Sequence, residues 1–279
     1  MTQNFDYGTF TLRNGGYVDV ATQDKIRNTR LLIAGCGIGS GPAVCAARLG
    51  FENFILVDGD VVDAHNLNRQ FYDFADVGKP KVEALKNQIL RINPEAKVEA
   101  IQAYLDADNT DAIVAKADIV FDTVDFLDLQ AILRLHLAAK KHGAEIFTAL
   151  SVGFGALVWY FPANSPLSLA DLIAPDIERV QAAGSGDAAS YVDVFAAFIT
   201  RLVPYLDPQV VEQITEVLTR MKDGKPCPAS QVAVGSFAIG ALATSMIHDL
   251  LAGNPVVSAP QLVLHSFKSH RTQIVDVTA

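Results

Sequence analysis

The sequence predicts an α/β protein with a doubly wound, mostly parallel sheet and helices on both of its faces. Up to residue 161, short apolar runs typical of buried strands alternate with segments of helical periodicity. A glycine-rich turn joins the first of these strands to the first helix. Hydrophobic residues make up 50% of the 279 positions, which is enough for the core of one large domain.

The first strand, helix and second strand lie in the stretch TRLLIAGCGIGSGPAVCAARLGFENFILVDGD. Leu31–Ala34 is a short apolar run, and the glycine turn follows it. Pro42 suits an early position of the next helix, and Gly50 ends that helix. Phe54–Val57 is then a second buried strand.

Later segments continue the alternation. The stretch KPKVEALKNQILRINPEA has helical spacing and stops at Asn93–Pro94, and KVEAIQAYL alternates like a strand. ADIVFDTVD is typical of a buried strand that runs into an acidic turn. A helix capped by Gly143 follows, and two more strands are predicted around Gly153 and Gly155.

The composition changes after residue 161, where several helices broken by glycine and proline are predicted. A long helix then begins at Val232, and QLVLHSF and TQIVDV form closing strands. We therefore divide a single domain into an N-terminal arm and helix (1–28), an α/β core (29–161), a helical insertion (162–226) and a C-terminal helix with strands (227–279).

Charge and cysteine content argue against several classes of function. The net charge of −9 disfavours binding to nucleic acid or to an anionic membrane, since both require a basic surface. Cys36, Cys45 and Cys227 form no CxxC pair, which disfavours a disulfide framework or zinc site and favours the reducing cytoplasm. The most apolar run, Val232–Ile247, is shorter than a bilayer requires and is predicted to be a buried helix.

The glycine turn, GCGIGSG, predicts a Rossmann-like nucleotide-binding core. Gly35, Gly37 and Gly39 allow a tight turn and a close approach to a phosphate at the start of the next helix. Ser40 replaces the third glycine of the common pattern. Asp58 ends the second strand, where an acid holds ribose hydroxyls. A site with these features is compatible with NAD, FAD or ATP.

The polar residues after Asp58 favour nucleotidyl transfer over hydride transfer. A dehydrogenase requires the acid but has no use for the guanidinium of Arg69. Attack at a phosphoryl group develops negative charge, which Arg69 and Lys81 can stabilise together with Mg²⁺. Asp122 and Asp125 end the next buried strand, where a carboxylate can hold that ion.

Seven short motifs between about residue 5 and residue 160 carry a resemblance to a known family. They are RN at Arg13–Asn14, GCGIGSG, VDGD, NLNRQ, VGKPK, INP and DTVD. In this order and spacing they resemble the ThiF/MoeB/ubiquitin-activating-enzyme superfamily. The resemblance implies an ATP-dependent enzyme that adenylates a carboxylate, either the C-terminus of a ubiquitin-like or sulfur-carrier protein or a small acid.

The resemblance also implies roles for individual residues. Asp58 would bind the ribose, and Asp125 would bind Mg²⁺. Asn66, Arg69 and Lys81 would reach the phosphates. The full set expected at the nucleotide is Gly35, Gly37, Gly39, Asp58, Asp60, Asn66, Arg69, Gln70, Lys81 and Asp125.

Further implications concern a second subunit and thiol chemistry. Gln70 would support the phosphate-binding loop, and Arg13 would reach the γ-phosphate from the other subunit of a homodimer. Cys227 lies near where some members carry a cysteine that forms a thioester or persulfide, and the alternative is an inert residue. Phe126 stands where many relatives have asparagine. The CxxC pairs that hold zinc in many relatives are missing, so no zinc is predicted.

The same residues allow other interpretations. Asp60 and Asn68 could cap loops instead of binding a ligand. Lys79 could be an exposed lysine at a helix start, and Asp122 could only orient the turn before Asp125. At the level of function, the alternatives are an NAD- or FAD-dependent oxidoreductase and a non-catalytic scaffold of the same superfamily. Such scaffolds usually lose the arginine or the magnesium aspartate, and this chain retains both.

Overall fold

The computed structural model describes residues 4–125, 128–182, 191–222 and 230–278. The strands are β1 (Arg30–Ala34), β2 (Asn53–Val57), β3 (Lys97–Ile101), β4 (Ile119–Asp122), β5 (Glu145–Ser151), β6 (Gly155–Phe161), β7 (Gln261–Ser266) and β8 (Arg271–Asp276). The α-helices are α1 (Tyr7–Thr11), α2 (Val20–Asn28), α3 (Ser40–Leu49), α4 (Lys81–Ile92), α5 (Thr110–Val114), α6 (Leu129–His142), α7 (Leu169–Ala182), α8 (Tyr191–Leu202), α9 (Pro208–Lys222) and α10 (Ala233–Ala252).

The strands form one eight-stranded sheet in the order β3-β2-β1-β4-β5-β6-β7-β8. From β3 to β5 the neighbours are parallel, and from β5 to β8 they are antiparallel. Crossovers return the chain to the same end of the sheet in the parallel half, whereas the short turn at 152–154 reverses it between β5 and β6. The predicted α/β class and mostly parallel sheet are confirmed, with the antiparallel strands at one end.

Helices cover both faces of the sheet. Along β1, Leu31 and Ile33 point to one face and Leu32 and Ala34 to the other, because side chains alternate along a strand. The first pair packs in a core with α2, α3, α4 and α10. The second pair packs in a core with α5, α6, α7 and α8. These two cores make the sheet doubly wound, as the alternation of strands and helices predicts.

Helices α7, α8 and α9 lie within the predicted insertion. Trp159 on β6 stacks on Phe198 of α8, with 5.6 Å between the ring centroids. Arg201 on α8 donates to the buried carboxylate of Asp176 on α7 at 2.5 Å and to the carbonyl of Val277 at 2.7 Å. These contacts fasten α7 and α8 to the antiparallel half of the sheet and to the end of the chain.

Helix α10 is the long apolar helix predicted to begin at Val232. It crosses α3 closely: a Cβ on Gly240 would lie 3.1 Å from the carbonyl carbon of Gly41, and a Cβ on Gly41 would lie 2.9 Å from the carbonyl oxygen of Ser236. By length and apolarity α10 could cross a membrane, but half of its most apolar 18-residue window is buried inside the molecule. Its contacts with α3 and the sheet are those of a core helix.

Candidate nucleotide site

The glycine turn between β1 and α3 is shaped by contacts within the chain. Gly35 has a φ of +87°, and a Cβ there would lie 2.5 Å from the carbonyl oxygen of Thr123. A Cβ on Gly39 would collide with the carbonyl oxygen of Gly35, which also accepts the hydroxyl of Thr123 at 2.6 Å. Both glycines are therefore required by the packing of the turn against the loop after β4, whatever the turn binds.

Ser40, at the third position of the glycine pattern, ties the turn to the loop that carries Arg69. Its hydroxyl donates to the carbonyl of Gly37 at 2.6 Å and accepts the N–H of Phe71 at 3.0 Å. The buried amide of Gln70 lies over Gly37, where a Cβ would be 3.2 Å from Nε2. Among the described residues, Gln70 Oε1 has no hydrogen-bond partner. The turn and the loop thus form one continuous wall.

Asp58 joins this wall to the end of β2. Its carboxylate accepts the N–H of Cys36 at 2.7 Å and the N–H of Asp60 at 2.8 Å. Burial raises the pKa of Asp58 above its ordinary value, although the nearby charge of Lys81 opposes this shift. A carboxylate has about four lone-pair sites, so Asp58 retains the capacity to accept ribose hydroxyls.

Lys81, at the start of α4, pairs with Asp60. Lys81 Nζ lies 2.7 Å from Asp60 Oδ2, and the two side chains are 8% and 48% exposed. Tyr104 donates its hydroxyl to Asp60 Oδ1 at 2.6 Å. Burial alone would raise the pKa of Asp60, but the hydrogen bonds from Lys81 and Tyr104 bring it below its ordinary value. No sequence motif includes Tyr104, and the one signal for it is an aromatic residue just after β3.

Arg69 is held by a residue from a distant part of the chain. Its Nε donates to Gln231 Oε1 at 2.5 Å, and its Nη1 donates to Asn68 Oδ1 at 2.9 Å and to the carbonyl of His65 at 3.0 Å. Asn68 donates in turn to the carbonyl of Gln231 at 3.1 Å. Burial lowers the pKa of Arg69, yet an arginine keeps its charge at neutral pH. No sequence pattern signals Gln231, which lies 162 positions from Arg69.

Asn66 and Lys79 have partners within their own loop. Asn66 is buried, and its Oδ1 accepts the N–H of Asp63 at 3.0 Å, which caps the single helical turn at 64–66. Lys79 pairs with Asp76 at 3.0 Å, and its side chain is 51% exposed. The structure therefore distinguishes the two lysines of GKPK, since Lys81 is buried and paired with Asp60, whereas Lys79 is a surface residue.

Asp122 orients the turn that leads to Asp125. Its buried carboxylate accepts the N–H of Val124 at 3.1 Å and the hydroxyl of Thr148 on β5 at 2.9 Å. His136 Nε2 on α6 lies 2.9 Å from the same hydroxyl. Asp122 has no exposed oxygen for a ligand, whereas Asp125 is exposed at the edge of the sheet.

The carboxylate of Asp125 fits a magnesium ion that is shared with a nucleotide. Mg²⁺ in such sites is held by one or two carboxylates, with phosphates and water as the other ligands. In the described ranges, no cluster of three or more His, Cys, Asp or Glu side chains could hold a metal by itself. A single carboxylate matches the protein's share of such an ion. Phe126 lies outside the described residues.

Arg13 does not join the other predicted residues within one chain. It is exposed in the short helical turn Leu12–Asn14, where Asn14 Nδ2 donates to the carbonyl of Leu49 at 2.9 Å. Leu49 ends α3, whereas the glycine turn precedes its start. At 1.5 Å per residue, this helix of 10 residues separates Arg13 from the turn by about 15 Å.

The cysteines contribute no described reactive group. Cys227 lies outside the described residues. Cys36 is fully buried, and burial raises the pKa of its thiol well above the usual range, as expected for a packing residue. Cys45 is partly buried on α3.

The structure gathers most of the predicted residues at one edge of the sheet. The carboxyl ends of parallel strands meet there, so the loops after β1, β2 and β4 lie side by side. α3 also begins at this edge, where the N–H groups of Ser40 and Gly41 donate to the carbonyls of Gly37 and Ile38 at 3.2 Å. The residues on these loops are Gly35, Gly37, Gly39, Asp58, Asp60, Asn66, Arg69, Gln70, Lys81 and Asp125.

Two curated proteins with similar sequences are named as adenylyltransferases. Molybdopterin-synthase adenylyltransferase of Escherichia coli is 36% identical over 109 residues, which cover 38% of this chain and 44% of that protein. Sulfur carrier protein ThiS adenylyltransferase of the same organism is 30% identical over 135 residues, or 48% of this chain and 53% of that protein. The chain thus matches about half the length of these curated relatives.

Solved structures of similar fold cover nearly the whole chain. The structure of E. coli MccB with ATP has a TM-score of 0.68 and 19% identity, and the match covers 99% of this chain and 72% of that one. The structure of PaaA has a TM-score of 0.67 and 19% identity, and the match covers 97% of this chain and 80% of PaaA. At this identity the likeness shows the fold alone. The ThiF family model, however, matches residues 12–278. The chain therefore belongs to the ThiF family.

Proposed function

We propose that this protein is an ATP-dependent adenylyltransferase that activates a carboxylate as an acyl-adenylate. The observation that carries the proposal is the convergence of the glycine turn, Asp58, Arg69 and Lys81 at the carboxyl edge of the parallel strands. Membership of the ThiF family and the names of the adenylyltransferase relatives support it. They lend no support to an oxidoreductase, and the retention of Arg69 and Asp125 argues against a scaffold.

In the proposed reaction, a carboxylate oxygen attacks the α-phosphorus of ATP. The new bond joins that oxygen to phosphorus, the bond from the α-phosphorus to the bridging oxygen of the β-phosphate breaks, and pyrophosphate leaves. The chain supplies position and charge, since Arg69 and Lys81 offer two cations to the phosphoryl oxygens. An ammonium group has three donors, so Lys81 can keep its bond to Asp60 while it donates to a phosphate.

Asp125 is the proposed ligand of Mg²⁺. When bound, the ion would neutralise charge on the phosphate oxygens. Thr148 and His136 hold Asp122, and Asp122 in turn orients the turn that presents Asp125. The chain itself would therefore contribute one carboxylate, that of Asp125, on a turn that Asp122 holds.

Arg13 is proposed to act in the neighbouring subunit of a homodimer. Its place at the far end of α3 keeps it away from the site of its own chain. Leu12, Tyr17 and Val20 surround it in sequence and expose large apolar side chains. Such a surface is expected where an assembly covers it.

The proposed substrate is a carboxylate at the C-terminus of a ubiquitin-like or sulfur-carrier protein, or a small acid. One relative is named for the sulfur carrier ThiS, and MccB was solved in complex with MccA. Helices α7 to α9 offer a lid or a docking surface for such a substrate. We place the reaction in the cytoplasm, where ATP and Mg²⁺ are both abundant.

Pyrophosphate–ATP exchange tests the proposal. With labelled pyrophosphate, Mg²⁺ and a cell extract as the source of carboxylates, we expect exchange that depends on the extract and is lost in Arg69→Ala and Asp125→Ala. Arg48→Ala is the matched control, because Arg48 is an exposed arginine on α3. Absence of ATP binding by the wild-type protein would refute the proposed function.

A separate test concerns Cys227, whose thiolate we propose attacks the acyl carbon of the acyl-adenylate, so that a thiol-labile thioester forms and AMP leaves. The adduct should appear with wild-type protein and disappear in Cys227→Ala, while pyrophosphate exchange persists in both. An adduct that survives in Cys227→Ala would exclude this cysteine.

A further inference from the structure

The residue that holds Arg69 stands just before the long helix α10. Gln231 precedes Ala233, the first residue of that helix, by two positions. Its side-chain Oε1 accepts the Nε–H of Arg69 at 2.5 Å, and its main-chain carbonyl accepts an N–H of Asn68 Nδ2 at 3.1 Å. One residue from outside the loop after β2 therefore contacts two neighbouring side chains of the NLNRQ motif.

The place of Gln231 is set by the packing of α10. Phe237, in the second turn of α10, packs against Phe71 with 4.6 Å between the ring centroids. Gly41 of α3 lies against the same end of α10, where a Cβ would be 2.9 Å from the carbonyl oxygen of Ser236. The start of α10 is thus fastened both to α3 and to the loop after β2, so Gln231 is a fixed anchor.

The geometry of a guanidinium group shows what this anchor does to Arg69. The group has five N–H donors in one rigid plane, one on Nε and two on each terminal nitrogen. In Arg69, Nε donates to Gln231, and Nη1 donates to Asn68 Oδ1 and to the carbonyl of His65. Bonds at two of the three nitrogens fix the plane of the group. They use three donors, and the two N–H groups of Nη2 remain for a phosphate.

We propose that Gln231 is a positioning residue for Arg69, whose guanidinium plane it fixes so that Nη2 presents two N–H groups to the phosphates of the nucleotide. The inference rests on the proposed ATP site and extends it to the segment before α10. A fixed guanidinium need not be ordered when the phosphates bind, so the anchor raises affinity without touching the ligand.

The two contacts made by Gln231 can be separated by substitution. Every residue at position 231 offers a main-chain carbonyl to Asn68, whereas the bond to Arg69 depends on the side-chain oxygen. Gln231→Met keeps the length of the side chain and removes that oxygen. The loop therefore stays docked on α10 while Arg69 loses its anchor.

Calorimetric titration with ATP and with inorganic tripolyphosphate measures the consequence. We expect Gln231→Met to weaken the binding of both ligands about tenfold, because the guanidinium contacts the phosphates that they share. Arg69→Ala should weaken both further. Adding Gln231→Met to Arg69→Ala should change nothing more, since the effect of Gln231 passes through Arg69.

Gln213→Met is the matched control. Gln213 on α9 accepts the hydroxyl of Ser230 at 3.0 Å, so this variant removes a glutamine oxygen next to Gln231 in the fold but leaves the contact with Arg69 in place. It should bind ATP and tripolyphosphate as the wild type does.

Nuclear magnetic resonance of protein with ¹⁵N-labelled arginine provides a direct reading of the contact. The Nε–H signal of Arg69, assigned by its loss in Arg69→Ala, should be protected from exchange with water in the wild type. Gln231→Met should lose this protection, whereas Gln231→Glu, which keeps an acceptor oxygen, should retain it.

Several outcomes would overturn the inference. Equal affinity of wild type and Gln231→Met for tripolyphosphate would exclude positioning. A further loss when Gln231→Met is added to Arg69→Ala, or an equal loss in Gln213→Met, would show that the segment acts by general packing. An Nε–H signal that stays protected in Gln231→Met would show that Gln231 is not the anchor.

The same titrations distinguish failure of the inference from failure of the proposed function. Wild-type protein that binds ATP, with the expected losses in the variants, but catalyses no pyrophosphate exchange would refute adenylation and support the role of Gln231. Wild-type protein that binds neither ATP nor tripolyphosphate would refute the proposed function, and the inference with it.

Discussion

The parallel and antiparallel halves of the sheet differ in where their strands end. In the parallel half, β1, β2 and β4 end at one edge, and their loops bring the glycine turn, Asp58, Arg69 and Lys81 together. In the antiparallel half, neighbouring strands end at opposite edges, so successive loops are kept apart. There the notable contacts are buried ones, such as Trp159 on Phe198.

The chain thus keeps its polar site residues apart from much of its apolar packing. Substitutions at the parallel edge should change nucleotide chemistry more than stability, because the residues there are polar and partly exposed. Substitutions in the antiparallel half and its helices should do the reverse.

The largest effect is expected for stability in Arg201→Leu. The substitution removes the guanidinium of Arg201 from the fully buried carboxylate of Asp176, which should cost about 3–5 kcal/mol in the free energy of unfolding. Urea denaturation measures this loss. Arg220→Ala, at an exposed pair with Glu216, is the control and should cost less than about 1 kcal/mol. If Arg201→Leu weakened ATP binding by the folded protein, the two halves would not be separate.

The next effect is expected for activity in Lys81→Met. Removal of a buried cation that faces the phosphates should lower pyrophosphate exchange by about 100-fold or more, while the methionine preserves the packing of the side chain. Lys79→Met is the matched control at the exposed lysine of the same motif, and it should retain activity within about twofold. A similar loss of pyrophosphate exchange in both variants would show that the motif contributes only general positive charge and that the position of Lys81 is unimportant.

Thr148→Val probes the boundary between the halves, because β5 belongs to both. The change removes the hydroxyl between buried Asp122 and His136 and should cost about 1–3 kcal/mol of stability. It should also raise the Mg²⁺ concentration needed for half-maximal exchange. Thr200→Val is the control, since the Thr200 hydroxyl bonds only to its own helix in an exposed position. Lower stability with an unchanged Mg²⁺ requirement would assign Thr148 to packing alone.

The smallest effect concerns pH and Asp58. Because burial raises the pKa of Asp58 in the folded protein, folding favours its protonated form. The resulting stabilisation is complete below the ordinary pKa near 3.8 and is lost as the pH rises through the raised value. Asp58→Asn should remove this part of the pH dependence, as followed by urea denaturation between acidic and neutral pH. An unchanged profile would mean that another group dominates the titration.

ATP affinity should respond to the same group in the opposite direction. Ribose hydroxyls donate to an ionised carboxylate, so wild-type affinity should fall when acidification protonates Asp58. Titration of ATP across the same pH range measures the fall, which Asp58→Asn should lack.

The sequence alone was sufficient to predict the elements of the parallel half and to recognise the family. Apolar runs, helical spacing, the glycine turn and the NLNRQ and GKPK motifs are local signals, since each depends on neighbours within a few residues. They predict the strands, the crossover helices and which loops carry polar side chains. The convergence of those loops follows from the topology that parallel strands impose.

Other features were decided only by tertiary structure. The anchoring of Arg69 by Gln231, the ring of Tyr104 on Gly59 and the distance of Arg13 from its own glycine turn all depend on residues far apart in the chain. No local pattern encodes such pairs, because they arise from the way whole elements pack. The glycine turn shows both levels at once: its residues are recognisable in the sequence, but the contact with Thr123 that requires glycine at position 35 exists only after β1 and β4 have paired.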